Sequence, residues 1–215
     1  MKHYYLILDT ETTAENTVAD IGAVIVDRKG IVHDSLGALV INQFDRVDMH
    51  RALGNPKMVK AKYMRMLDDG LRIMASVPAI NTWLAKTAAK YKPVLTAYNI
   101  SFDINVCNNT NIDLSCLPRR FCLMKAAQQI ICSSDNYQQW CIDNNELTPT
   151  GRNKTSADAV ARYLDCTLPA EPHTALEDAR DYEGVILNHI IHAPKTQREI
   201  IAAGQPKGAA KWLKV

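Results

Sequence analysis

Tyr4-Tyr5-Leu6-Ile7-Leu8-Asp9-Thr10-Glu11-Thr12-Thr13 opens the chain with an apolar run that empties into two acids one residue apart. A short apolar run bounded by polar residues reads as a buried strand. In a strand, residues i and i+2 project from one face, so Asp9 and Glu11 point side by side. Two carboxylates this close repel unless positive charge lies between them. A divalent cation such as Mg2+, which takes hard oxygen ligands and keeps part of its water, suits that place. Working outward, Asp20 to Val26 predicts a second strand rich in Val and Ile, and Asp27-Arg28-Lys29-Gly30 has hairpin-turn chemistry. Ile31 to Ile41 then predicts a third strand pairing back.

Two further acidic clusters lie downstream. A helix predicted from Ser76-Val77-Pro78 through Tyr91 breaks at Lys92-Pro93, and Val94 to Tyr98 predicts a short buried strand ending in Asn99-Ile100-Ser101-Phe102-Asp103. The Pro-rich stretch Leu168 to Pro172 leads to His173-Thr174-Ala175-Leu176-Glu177-Asp178, which opens a helical pattern through His192. Ligand sites of open α/β sheets lie beyond the carboxyl ends of strands, where Asp9, Glu11 and Asp103 would meet. Asp178, in the second turn of the last long helix, would face the same place. Four carboxylates suffice for two divalent cations and a substrate phosphate. Such a pair activates an attacking water and stabilises the departing oxygen of an in-line displacement. Histidine, with an ordinary pKa near neutral, suits the general base, and His173 is the candidate. Taken singly, each cluster has a plain reading as a strand-end turn, a helix-start acid or an exposed helix acid. Their order, each at the end of the right element, favours one site.

Asp9-x-Glu11, Asp103 with Asn99 four residues before it, and His173 five residues before Asp178 resemble the signature of the DEDD 3′–5′ exonucleases. That family includes replicative proofreading exonuclease subunits, ribonuclease T, oligoribonuclease and stand-alone viral and bacterial exonucleases. The tyrosine branch places its base four residues before the last Asp, where this chain has Thr174, so the resemblance is to the histidine branch. It implies an α/β fold, a ribonuclease H-like mixed β-sheet with its first three strands antiparallel and the rest parallel, flanked by helices. It further implies two Mg2+ or Mn2+ ions per site: Asp9 bridging both, Glu11 and Asp178 completing one position, Asp103 holding the other, and His173 as base. Thr12, Asn99 and Phe102 would contact the 3′-terminal nucleotides. The implied reaction releases nucleoside 5′-monophosphates from the 3′ end of a nucleic acid, with single-stranded DNA favoured. The alternatives are an exoribonuclease or oligoribonuclease of the same chemistry, or a catalytically silent nucleic-acid-binding module. Two departures touch substrate contacts: Ala14-Glu15-Asn16 replaces a frequent Gly, and Tyr98 stands where a His often precedes the Asn.

Composition sets the wider bounds. With 215 residues, 47% hydrophobic and 22% charged, the chain suits one well-buried domain, expected over 1–194 with 195–215 as a C-terminal tail carrying Trp212. No apolar run reaches the roughly 20 residues of a membrane span, and Met1 to Tyr5 enters a strand directly, so a cytoplasmic protein without a membrane partner is expected. The net charge of +2 is too small to imply an extended polyanion groove. Lys57, Lys60, Lys62 and Arg65, on a helix expected from Asn55-Pro56 to Leu67, either hold backbone phosphates or form a solvated face. Further helices are expected over 121–131, 136–142 and 155–164. The six cysteines show no C-x-x-C pair and read as free thiols.

Overall fold

A computed structural model describes residues 3–50, 53–194 and 197–205. The expected opening holds: β1 (Tyr4–Thr12) pairs antiparallel with β2 (Val18–Asp27), which pairs antiparallel with β3 (Val32–Val40). Helix α1 (Pro56–Asp68) follows, then a short strand β4 (Ile73–Ala75) parallel to β3. Helix α2 (Val77–Tyr91) leads to β5 (Val94–Ala97), parallel to β1, and α3 (Ile100–Asn109) leads to β6 (Arg120–Cys122), parallel to β5. The sheet order is β4-β3-β2-β1-β5-β6. This is an α/β fold with a mixed six-stranded sheet, antiparallel at first and then parallel.

Alternation along β1 divides the interior into two layers. Tyr5 and Ile7 face one cluster with Val24, Val160, Tyr182 and Ile186, whereas Leu6 and Leu8 face another with Ile25, Leu84, Leu95 and Val106. Every residue from Tyr5 to Leu8 is 1% exposed or less, as a strand covered on both faces requires. Asp9 and Glu11 continue the Tyr5–Ile7 row beyond the apolar core.

The first two helices begin as their caps dictate. Asn55 accepts from the Lys57 N–H, and Ser76 from the Ala79 N–H, each with a proline in the first turn. Two expectations are corrected. Residues 121–131 are not one helix: Phe121 lies in β6, followed by α4 (Leu123–Ala127) and a π-type turn at Gln128–Cys132. The helix expected over 174–192 is α7 (Ala175–Glu177), a π-type turn (Asp178–Glu183) and α8 (Gly184–His192). Before it come α5 (Asp135–Asp143) and α6 (Ala157–Leu164), the latter capped by Ser156. After it, α9 (Gln197–Ala203) inserts Ile200, 2% exposed, into the core, and the Gly204 carbonyl accepts the Cys122 N–H of β6. Trp212 lies outside the described residues. All six cysteines are free, and no described helix is long and apolar enough to cross a membrane.

Candidate active site

The carboxyl ends of β1 and β5 form the floor of the site. Asp9 is half-buried there and Glu11, 9% exposed, stands two residues on. Asp103 lies in the first turn of α3, buried at 2% exposure, and the Thr10 hydroxyl donates to its Oδ1 at 2.8 Å. Asp178 arrives from the opposite layer at the end of α7, also 2% exposed, with Oδ2 accepting the Thr174 N–H at 2.8 Å. His173 is exposed just before it. One ligand atom each from Glu11, His173 and Asp178 lies within 4.8 Å of the others. Segments from the start, middle and end of the chain thus converge at the sheet rim.

The last segment is held in place by residues the sequence pattern leaves unmarked. Asp20, opposite Glu11 on β2, accepts the Ala175 N–H and two bonds from Arg72, whose guanidinium also reaches both oxygens of Glu177. Both Arg72 and Asp20 side chains are fully buried. Gly22, opposite Asp9, is required by contact: a Cβ there would meet the Ala175 carbonyl carbon at 2.1 Å. From α1, Lys62 donates to the Pro172 carbonyl at 2.6 Å and the Tyr63 hydroxyl to the His173 carbonyl at 3.4 Å. His173 itself takes φ = 53°, a left-handed conformation costly for a non-glycine residue unless its surroundings impose it. The one hint of this clasp in the sequence is Asp20, a charge inside a run of strand-forming apolar residues.

The basic helix, read either as a phosphate-holding or as a solvated face, is partly committed elsewhere. Lys62 makes the contact above, and Lys60 sits 5.7 Å over the Phe44 ring, while Lys57 and Arg65 are exposed. Of the three expected substrate contacts, Phe102 is 44% exposed and Asn99 is exposed in a left-handed conformation with no capping bond from its side chain. Thr12 is 7% exposed, and its carbonyl accepts the His50 N–H. Tyr98 turns inward: its hydroxyl donates to the Thr155 carbonyl, and its N–H to Glu183.

Burial and mutual repulsion govern the charges. Burial first, then Asp178 and Asp20, pushes the Glu11 carboxyl up to about 8, with Lys62 pulling the other way. Asp178 rises to about 8 through burial and Glu171, and Asp103 to about 7 through burial against the Thr10 hydroxyl. Asp9 is raised well above the usual range by burial, then by Glu183, Asp103, Glu11 and Asp178. Among the described residues, the buried side-chain oxygens lacking a partner are Thr96 Oγ1, Asp178 Oδ1 and Glu183 Oε2. Hard oxygen donors, crowded carboxyls and the partnerless Asp178 Oδ1 fit divalent cations, which would offset the repulsion and give that oxygen a partner.

Several solved structures are similar, exonucleases among them. Exonuclease X in complex with 5′ overhanging duplex DNA matches with a TM-score of 0.50 and 20% identity, covering 94% of this chain and 99% of that one. Exonuclease I in complex with the inhibitor BCBP gives 0.59 and 13%, covering 94% and 43%. E. coli exonuclease I in complex with a 5cy-dT13 oligonucleotide gives 0.55 and 14%, covering 94% and 42%. The chain shares its fold with these exonucleases. It spans less than half of each exonuclease I chain but nearly all of exonuclease X. No family model and no curated protein match it.

Proposed function

We propose that this chain is a divalent-cation-dependent 3′–5′ exonuclease of the histidine branch, releasing nucleoside 5′-monophosphates from single-stranded DNA. The observation that carries the reading is the meeting of Glu11, His173 and Asp178 within 4.8 Å, with Asp103 among the charges that raise the Asp9 carboxyl. Asp9, Glu11, Asp103 and Asp178 would hold two Mg2+ or Mn2+ ions. Bound there, the ions would neutralise the phosphate and the carboxylates and polarise water and the leaving oxygen.

The chain's own residues supply the rest. His173 takes the proton from the attacking water through a ring nitrogen, and its exposed side chain can pass that proton on to solvent. Water oxygen bonds to the terminal phosphorus, the P–O3′ bond breaks, and the shortened strand's 3′-oxygen takes up a proton. Thr12, Asn99 and Phe102 orient the terminal nucleotide, Phe102 by presenting an exposed ring beside Asp103. We assign this activity to residues 1–194, against which α9 of the following segment packs.

DNA is favoured as substrate, and exonuclease X and exonuclease I carry DNA in two of the similar structures. The test uses 5′-labelled single-stranded DNA and RNA of equal sequence with Mg2+, beside Asp103→Ala. Ladders shortening from the 3′ end, faster on DNA and absent with Asp103→Ala, are expected. A faster RNA ladder would reassign the substrate to RNA, and no ladder on either strand would leave a binding module.

A further inference from the structure

The tightest cluster of ligand atoms in the site includes an imidazole. Among the described residues, Glu11, His173 and Asp178 are the one group whose ligand atoms all lie within 4.8 Å of one another. Bonds from imidazole nitrogen or carboxylate oxygen to Zn2+ run about 2.0–2.2 Å, so two ligand atoms of one ion stand up to about 4.4 Å apart. The three side chains therefore reach a shared ion with little movement. Asp178 brings an oxygen that nothing else occupies: the residue is 2% exposed, its Oδ2 accepts the Thr174 N–H, and its Oδ1 is buried without a partner. His173 is held here in a strained backbone with φ = 53°, and Lys62 and Tyr63 of α1 donate to the Pro172 and His173 carbonyls on either side of its ring.

The donor set decides which ion fits. Mg2+ takes oxygen ligands, whereas imidazole suits Zn2+, Ni2+ and related transition metals. Zn2+ accepts three nitrogen and carboxylate ligands with water in the remaining position. We propose that Glu11, His173 and Asp178 bind one ion of the Zn2+ class in the absence of nucleic acid, with the His173 imidazole as a ligand. The consequence for activity rests on the reading above that His173 is the general base. A ring nitrogen bonded to Zn2+ cannot take the proton of the attacking water, so Zn2+ holds the exonuclease off, while Mg2+ leaves His173 free to act. The same residues thus form a working site with one metal and an inhibited site with the other.

The test is calorimetric titration of the full chain without nucleic acid, with Zn2+ and separately with Mg2+, for the wild type, His173→Gly and Glu11→Gln. Glycine removes the ring and takes the left-handed backbone without strain. His173→Gly should weaken Zn2+ binding by at least the roughly 10- to 100-fold that losing a supporting group costs, with Mg2+ affinity unchanged. Glu11→Gln should weaken both ions, and added Zn2+ should stop the Mg2+-dependent ladder of the wild type. Zn2+ bound as tightly by His173→Gly as by the wild type would overturn the proposal, since the ion would then sit on other groups. So would a wild type that cleaves with Mg2+ but takes up no Zn2+; in either case the exonuclease reading would stand. A wild type with no Mg2+-dependent cleavage would instead overturn the exonuclease reading, and the inhibitory role of Zn2+ with it.

Discussion

Asp9 and Glu11 stand on a strand, whereas His173 and Asp178 stand on a loop and a single helical turn, and the two pairs are fixed in different ways. The first pair is aimed by β1 itself, which pairs with β2 residue by residue through Glu11 and with β5 up to Ile7. The second pair has no regular element long enough to aim it. It depends on Asp20, Arg72, Glu177, Lys62 and Tyr63, drawn from β2, α1, α7 and the approach to β4. A strand-borne side chain is placed locally and robustly; a loop-borne one is only as well placed as the distant residues that clasp it.

Substitutions in the two regions should therefore differ in kind. The largest loss is expected for Asp9→Ala: no ladder on labelled DNA, with a melting temperature in EDTA at or above the wild type because a repelling buried acid is gone. Substantial residual cleavage would remove Asp9 from the site. Arg72→Met should lose stability and activity together, since it leaves Asp20 and Glu177 without their cation. Breaking such a pair costs about 3–5 kcal/mol, readable by denaturant unfolding. A variant of normal stability would show that the clasp is not a structural necessity. His173→Ala should lower kcat roughly 10²-fold with KM little changed, and an unchanged kcat would require another base. Tyr63→Phe should be mildest, costing about 1 kcal/mol for one hydrogen bond and lowering kcat several-fold while KM holds. Equal loss in kcat and folding stability across a Tyr63 series would reduce the hydroxyl to packing support.

The contrast also explains what was legible in the sequence. A continuous apolar run identified β1, the strand period of two put Asp9 and Glu11 on a shared face, and the breaks around Pro93 located β5 and the start of α3. Cap residues Asn55, Ser76 and Ser156 marked helix starts because their chemistry is local. Strands β4 and β6, three residues each, are too short to show a period and owe their structure to β3 and β5 beside them. The π-type turn at Asp178–Glu183 defeats a 3.6-residue reading, so Glu183 fell off the expected face and went unmarked. Arg72 and Asp20 are distant in sequence and meet only through the fold. Lys62, which the pattern offers as a phosphate contact or a solvated charge, instead reaches the Pro172 carbonyl.

Both regions share one demand, that the acids they bring together be balanced by cations, and melting temperature against pH with and without Mg2+ tests it most directly. In EDTA, Glu11 and Asp178 are raised to about 8 in the folded protein, against about 4 for free carboxyls. Groups raised in this way favour the fold below the unfolded value and lose that advantage as pH rises through the folded one. Glu146 and Glu177, held low by their cationic partners, finish titrating below this window. The melting temperature in EDTA should therefore fall from about pH 5 to about pH 8, and Mg2+ should offset the fall by an amount that grows with pH. Superimposed curves with and without Mg2+, or an EDTA curve flat across that range, would contradict the account.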